Sequence, residues 1–254
     1  MVMKKGFWII LCMFFIPLVT FAGNMKLHYD RPAEYFEEAL VIGNGTMGAT
    51  LYGGVKKDKI SFNDITLWTG EPESENSSPD AFNVIPEIRA LLDNEDYEGA
   101  DKAQYKVQGH YSENYQPLGT LTIEYLDDTA GISDYHRWLD IGNATARTQY
   151  LKDGKLFTSD YFASAPDSVI VIRLKSENKE GIHALLSFDS PLPHSSQVAD
   201  NEISVEGYAA YHSFPVYYKA EDKHRYDPER GIHFKTLVRV LSVDGSCLLY
   251  TSPS

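Results

Sequence analysis

The chain has 254 residues, of which 43% are hydrophobic and 13% aromatic, and it carries 36 acidic against 23 basic residues. This length suits one large all-β domain or two ordinary domains. The formal charge of -13 argues against nucleic acid or an anionic membrane surface as a partner, because both attract clustered lysine and arginine. Cys12 and Cys247 lie outside the predicted mature domain, so disulfides, cysteine-rich zinc sites and thiol catalysis are not expected.

Residues 1–22 have the pattern of a secretory signal peptide. Lys4 and Lys5 supply the positive start, residues 7–21 are apolar, and small side chains precede a cleavage point after Ala22. This apolar run is shorter than the ~20 residues that a membrane-spanning helix needs, so cleavage is favoured over anchoring. We therefore expect a secreted or periplasmic protein that has no membrane contact after cleavage.

From Met25 onward, apolar and polar residues alternate between turn signals, which is the pattern of half-buried β-strands. The clearest strands are predicted at 120–125, 182–189 and 232–240. Asp153-Gly154 predicts a tight hairpin between strands at 144–151 and 155–162. The more continuously apolar run at 169–174 is typical of a strand that is covered on both faces.

Residues 86–107 break the alternation. Apolar residues recur at helical spacing after Pro86, which suits the first turn of a helix, and Asn94 can cap a second helix that starts near Tyr97. Residues 74–80 and 217–229 are interpreted as loops. With about ten strands at this spacing, the sequence predicts a mainly β protein, a large antiparallel β-sandwich (supersandwich) with a short inserted helical pair.

A glycine string, Gly43, Gly45 and Gly48, matches the G-x-G-x-x-G pattern of dinucleotide-binding turns. That function requires a helix directly after the glycines, and Gly53-Gly54 would break such a helix. The string is therefore interpreted as a glycine turn between two strands, and no cofactor is expected.

The eight histidines contain no H-E-x-x-H pattern. His212, His224 and His233 could converge in space, but scattered surface histidines are the more usual arrangement, so no metal site is predicted. Nucleophilic hydrolysis is unsupported because G-x-S-x-G is absent.

Trp68 is a candidate for sugar binding, because an indole ring can stack on the apolar face of a sugar. Burial as a core or domain-interface anchor is the alternative for so large a ring. Its acidic neighbours in the sequence are Asp64, Glu71 and Glu73. Tyr115 and Gln116 belong to a second loop with an aromatic ring and hydrogen-bonding groups, and an ordinary strand-entry loop explains that segment equally well.

Several motifs occur in order between Met25 and Gly245. They are Tyr29-Asp30-Arg31-Pro32-Ala33, Ile42-Gly43-Asn44-Gly45, Asn63-Asp64-Ile65-Thr66-Leu67-Trp68-Thr69-Gly70, Tyr115-Gln116-Pro117-Leu118-Gly119, Tyr161-Phe162-Ala163-Ser164 and Ser190-Pro191-Leu192-Pro193. The series resembles the amino-terminal domain of glycoside hydrolase family 95, the α-L-fucosidase and α-L-galactosidase family. Asn63-Asp64 is a mild departure, since the family often has Asn-Glu there.

The resemblance implies a β-sandwich that precedes a helical linker and an (α/α)6 barrel, with the carboxylates and asparagines of an inverting mechanism in the barrel. It implies an exported α-L-fucosidase that acts on fucosylated oligosaccharides and whose own barrel is the partner of this domain. No catalytic residue is assigned within this chain, which is expected to be inactive alone. Trp68, Tyr115 and Gln116 are assigned to substrate binding, at the sandwich-to-barrel interface or the rim of the sugar pocket.

Two other functions stay open from the residues alone. A stand-alone carbohydrate-binding module is motivated by the 17 tyrosines and three tryptophans, and a purely structural, adhesin-like sandwich is the weaker alternative. The two differ in that only the first predicts saturable binding of sugars.

Residues 247–254 continue neither the preceding strand nor its turn, and they resemble one reading frame of a transposase sequencing adapter. We therefore predict a signal peptide over 1–22, an incomplete amino-terminal β-sandwich domain of a glycoside hydrolase over 25–246, and an artefactual tail over 247–254. A sandwich without its barrel would expose an apolar surface and an unpaired edge near 232–241, so poor solubility is expected.

Overall fold

A computed structural model describes residues 25–72, 80–109 and 111–242 of the chain. The predicted signal peptide and tail lie outside the described residues, as do residues 74–79 of the predicted loop. The strands are β1 (Lys26–Tyr29), β2 (Leu40–Gly43), β3 (Met47–Leu51), β4 (Lys57–Asp64), β5 (Gly119–Tyr125), β6 (Ile132–Asp140), β7 (Thr145–Lys152), β8 (Lys155–Ser164), β9 (Val169–Ser176), β10 (Ala184–Asp189), β11 (His194–Ala199), β12 (Glu202–Tyr208), β13 (His212–Ser213), β14 (His224–Arg225) and β15 (His233–Arg239).

These strands form antiparallel sheets. One five-stranded sheet has the order β1-β6-β7-β8-β9, and a second has the order β10-β5-β4-β3-β2. A three-stranded sheet, β11-β12-β15, and the short pair β13-β14 complete the described part. The predicted mainly β fold is therefore confirmed, and the predicted strands at 120–125, 182–189 and 232–240 correspond to β5, β10 and β15.

The main core lies between the two five-stranded sheets, because alternate side chains of each strand point inward. Ile60 and Ile123 of one sheet are buried against Tyr150 and Tyr161 of the other, and Val205 of β12 joins the same cluster. Each large apolar side chain buried in this way contributes about 1.5–3 kcal/mol to folding. The three-stranded sheet is thus packed onto the sandwich and extends its core.

The predicted hairpin is confirmed between β7 and β8. Asp153 and Gly154 have φ values of 50° and 75°, which are the paired left-handed conformations of a type I′ turn. Lys152 and Lys155 pair directly across this turn, so its two residues set the register of the hairpin.

The glycine string forms a strand, a turn and a second strand, as predicted. Gly45 has a φ of 97°, a conformation that glycine adopts without steric cost. The Oδ1 atom of Asn44 accepts the backbone N–H groups of Thr46 and Met47, and its Nδ2 atom donates to the carbonyl of Ser164 at 2.9 Å. This turn is therefore fastened to the end of β8 in the opposite sheet.

One prediction about strand β9 is wrong. Its continuous apolar run indicates coverage on both faces, but only one face of β9 packs against the core. Ile170 and Ile172 pack against the core, whereas Val169 and Arg173 are exposed. The outer face of β9 is therefore partly open. β9 is also the edge strand of its sheet, since within the described residues it pairs with β8 alone.

The predicted helical pair is present between β4 and β5, as α1 (Ala81–Asp93) and α2 (Tyr97–Gln104). Two details are corrected. Pro86 lies inside α1 rather than in its first turn, so the carbonyl of Phe82 receives no helical N–H from it. Asn94 caps the carboxyl end of α1, and it is Asp96 that caps α2, accepting the N–H of Gly99 at 2.9 Å.

Arg137 of β6 fastens the segment between β1 and β2 to the sandwich. This side chain is 1% exposed, and its Nε and Nη1 atoms each donate at 2.8 Å, to the carbonyls of Arg31 and Glu38 respectively. The guanidinium carbon lies 4.2 Å from the centroid of the Tyr29 ring. Burial lowers the pKa of the Arg137 guanidinium, because the charge has left water for neutral partners.

The predicted unpaired edge near 232–241 corresponds to β15, which is the outer strand of the three-stranded sheet. Lys235 and Arg239 pair with Glu206 and Glu202 of the neighbouring β12. Charged side chains of this kind discourage pairing with another chain at an open edge. Within the described ranges, no helix has the length and apolar character required to cross a bilayer.

Candidate functional site

Three loops meet at one region of the surface, which we call the loop cluster: residues 65–72 after β4, residues 111–118 before β5, and residues 209–231 around β13 and β14. The N–H of Thr69 donates to the carbonyl of Asn114 at 2.8 Å, and the N–H of Gln116 donates to that of Leu67 at 2.9 Å. The N–H of Gly70 donates to the carbonyl of Ala210. Backbone hydrogen bonds therefore hold all three loops together.

The structure brings together two of the three predicted substrate-binding residues. Trp68 and Tyr115 form an isolated antiparallel bridge, their rings are 5.8 Å apart at 66°, and they are 44% and 47% exposed. The alternative that Trp68 is buried in the core is therefore wrong, whereas its role at a domain interface or in sugar binding stays a prediction. Gln116 is 7% exposed, so little of its side chain reaches the surface.

Tyr115 also lines a shallow, open depression beside the glycine turn. The other lining residues used here are Thr46 and Met47 of that turn, together with Asn63 and Ile65. The depression is mostly apolar in its walls, so it suits the apolar face of a ring better than a charged group. It places the glycine string next to residues of the motifs at 63–70 and 115–119.

Glu113 is the centre of the loop cluster. Its Oε1 atom lies 2.7 Å from Nδ1 of His212, and its Oε2 atom accepts the hydroxyl of Thr69 and, at 3.0 Å, the N–H of Ser213. The side chain of Asn114 donates to the carbonyl of Ser213 at 3.0 Å. Charge-assisted bonds to one carboxylate are stronger than neutral ones, so Glu113 joins the three loops into one rigid unit, which we call the Glu113 network.

His212, His224 and His233, the three candidate metal ligands, do not all meet at one place. His212 and His224 lie on the paired strands β13 and β14, with Nδ1 of His224 2.8 Å from the hydroxyl of Ser213, but His233 stacks near Tyr208. In the described part of the chain, no three potential ligands among histidine, cysteine, aspartate and glutamate are grouped to hold a metal.

The acidic neighbours of Trp68 have structural partners. Glu71 forms a two-point ion pair with Arg230, whose guanidinium carbon lies 3.6 Å from the Tyr211 ring centroid, and this hydrogen bonding lowers the pKa of Glu71. Asp64 accepts the N–H and hydroxyl of Thr66 within a turn. Glu73 lies outside the described residues. A carboxylate held in its charged form by arginine is poorly suited to act as a general acid.

Asp58 has the raised pKa that is typical of a catalytic acid, but it lies in the core. Desolvation raises its pKa to about 6, against hydrogen bonds from the N–H of Gly54 at 2.9 Å and the hydroxyl of Tyr161 at 2.8 Å. Because its side chain is 1% exposed, no substrate reaches it in this conformation. Its role is structural.

An aromatic cluster that the sequence analysis did not single out borders the Glu113 network. Phe214 stacks on Tyr218 at 4.8 Å, and Tyr111 lies 5.5 Å from Tyr218 and 6.4 Å from Tyr217. The three tyrosines, which we call the tyrosine platform, are 49%, 75% and 40% exposed for Tyr111, Tyr217 and Tyr218. The adjacent pair Tyr217-Tyr218 in a charged, proline-containing loop is the sequence signal that could have pointed to it.

A family model described as "Glycosyl hydrolase family 65, N-terminal domain" matches residues 27–253. The chain belongs to this family. The match covers both five-stranded sheets, the helical pair and the loop cluster, so the described residues from 27 onward form the fold that the family model represents.

Curated relatives point to fucosidases. "Alpha-L-fucosidase 2" of Arabidopsis thaliana is 30% identical over 228 residues, which is 87% of this chain and 27% of the relative. "Probable alpha-fucosidase A" of Aspergillus niger is 30% identical over 179 residues, which is 66% of this chain and 22% of the relative. The protein of the same name from Aspergillus oryzae is 27% identical over 145 residues, which is 55% of this chain and 20% of the relative. The resemblance to a fucosidase amino-terminal domain is confirmed, and the chain spans 20–27% of the length of these relatives.

Proposed function

We propose that the chain is the amino-terminal β domain of an exported α-L-fucosidase of glycoside hydrolase family 95, and that the groups that break the glycosidic bond lie on an (α/α)6 barrel. The match to an α-L-fucosidase over 87% of this chain, but only 27% of that relative, carries the proposal. Export rests on the pattern of residues 1–22. The reaction is release of terminal fucose from oligosaccharides with inversion.

The chemistry of inversion supports this division of labour. It needs a protonated carboxylic acid on the leaving oxygen and a carboxylate that activates water on the opposite side of the sugar. Glu71 is held by Arg230, Glu113 by the loop cluster, and Asp58 is buried in the core. Each of these three acids has a structural task, which agrees with assigning the acid and the base to the barrel.

The outer face of α1 suits contact with such a barrel. The helix has no buried residue, and Phe82, Ile85 and Leu92 are 83%, 39% and 46% exposed. An amphipathic helix normally covers its apolar stripe against another element, and exposed apolar patches commonly mark interaction surfaces. We assign this face to the barrel.

Replacing Phe82 by serine should raise the solubility of the chain and change its free energy of unfolding by no more than about 0.5 kcal/mol, because the ring is largely exposed. Solubility is measured by the concentration that survives ultracentrifugation, and stability by urea denaturation. The matched control is Leu51→Ser, which buries a hydroxyl at a 2% exposed position and should cost about 3 kcal/mol or more. A large loss of stability in Phe82→Ser would show that the ring packs within this chain.

The function is tested by assaying fucose release from 2′-fucosyllactose. The chain alone should release none, whereas the longest product expressed from the same locus should release fucose. Proton NMR of the first product should show the anomer opposite to that of the substrate. Activity of the chain alone, release with retention, or no release by the longest product would overturn the proposal.

A further inference from the structure

The proposed function does not involve the tyrosine platform. Its rings are inclined to one another, with Tyr111 at 60° to Tyr218 and at 79° to Tyr217, so their faces point in more than one direction. Three large rings left 40% or more exposed keep an apolar surface in water that folding alone does not cover. Such a surface fits a ligand that has an apolar face of its own.

The Glu113 network holds the tyrosine platform in place. Glu113 lies two residues after Tyr111, and it bonds His212 and Ser213 at the start of the loop that carries Tyr217 and Tyr218. His212 packs edge-to-face on Phe214 at 4.5 Å, and Phe214 in turn supports Tyr218. A surface that is fixed before binding loses less conformational entropy when a ligand arrives.

The charges around the platform favour a neutral ligand, because both signs are present. Arg225 lies 5.6 Å from the Phe214 ring and Lys223 donates to the carbonyl of Val216 at 2.9 Å, while Glu221 and Asp222 are exposed in the same loop. The net charge of -13 disfavours a polyanion. A neutral sugar ring fits such surroundings, because its C–H groups pack on the electron-rich face of a tyrosine while its hydroxyl groups bond to the polar groups around the platform.

We propose that the tyrosine platform binds a neutral pyranose ring of an oligosaccharide, at a position separate from the Trp68–Tyr115 pair. The choice of an oligosaccharide rests on the proposed function, whereas the exposed rings, their support by the Glu113 network and the surrounding charges do not. The platform would bind the substrate through a sugar ring that is not cleaved off. It would thereby raise the local concentration of the oligosaccharides that contain this sugar.

The test is a titration of the purified chain with 2′-fucosyllactose, followed by saturation-transfer NMR. Because binding is measured without turnover, the result is independent of whether any fucosidase activity exists. We expect saturable binding with a Kd in the millimolar range, and a loss of at least about fivefold in the double variant Tyr217→Ala with Tyr218→Ala. The single variant Tyr218→Phe, which keeps the ring, should bind as the unchanged chain does.

The matched control is Tyr35→Ala, which removes a 64% exposed tyrosine from the segment between β1 and β2 and should leave binding unchanged. Equal unfolding temperatures of the variants establish that the platform residues are not needed for folding. No saturable binding at tens of millimolar sugar overturns the inference. Binding that survives the double variant, or that is lost in Trp68→Ala alone, overturns it as well and assigns the sugar to the Trp68–Tyr115 pair.

Discussion

When the pH is raised from 4 to 7, the unchanged protein should lose about 2–3 kcal/mol of unfolding free energy relative to its Asp58→Asn variant. The carboxyl of Asp58 has a pKa of about 6 in the folded protein, against 3.8 for the ordinary group. Well below pH 3.8 the Asp58 carboxyl is protonated in both the folded and the unfolded state, so it adds no pH dependence to the stability. Between the two values the folded state keeps a proton that the unfolded state has released, so stability falls as the pH rises and levels off above 6.

The measurement is urea denaturation of both proteins at four pH values across this window. Other carboxylates such as Asp128 and Asp140, whose pKa values are lowered by hydrogen bonds and lysine, work in the opposite direction, but they are common to both proteins and cancel in the difference. The asparagine cannot titrate, so the difference isolates position 58. A difference that stays flat with pH would show that Asp58 is solvated or permanently ionised.

Replacing Arg137 by alanine should destabilise the fold by about 3–5 kcal/mol. The substitution leaves the carbonyls of Arg31 and Glu38 without their donors, removes the cation beside Tyr29, and opens a cavity at a position that is 1% exposed. Urea denaturation gives the change in free energy. Hydrogen exchange should show the largest gain in opening within residues 29–39, because Arg137 is what joins them to β6.

Arg147 supplies the matched control for that prediction. It lies on the neighbouring strand β7, pairs with Asp160 and keeps 43% of its side chain exposed. Its replacement by alanine should cost less than about 1 kcal/mol, as exposed ion pairs do. Similar losses for the two variants would mean that the buried hydrogen bonds of Arg137 contribute no more than a surface charge.

The parts of the fold that could be predicted from the sequence are those with a local cause. Asp153-Gly154 sets its hairpin through the left-handed preference of two adjacent residues, and Gly45 sets its turn in the same way. The start of α1 could not be predicted in this way, because Pro86 is tolerated in the second turn of a helix that has no fully buried residue. The coverage of β9 could not be predicted either, because an apolar run shows side-chain type and not whether another element covers each face of the strand.

The candidate site depends on contacts between residues that are far apart in the sequence. Trp68 and Tyr115 were found because both lie in recognisable motifs, although their contact joins loops that are 47 positions apart. Glu113 and His212 are 99 residues apart, and only the docking of β13 and β14 beside the loop before β5 brings them within bonding distance. The structural roles of Asp58 and Arg137 depend on their burial. Charged residues are rarely buried, so the sequence alone predicts that both side chains lie at the surface.

The order of strands in the first sheet also has a kinetic consequence. From β6 to β9, each strand pairs with its immediate successor through a short connection, so this meander closes only small loops as it forms. In the second sheet, β4 pairs with β5, which follows it only after the whole helical insertion. β10 also pairs with β5, from which about sixty residues separate it. Since loop closure slows with sequence separation, the meander should nucleate folding, and the sheet that carries the loop cluster should be completed last.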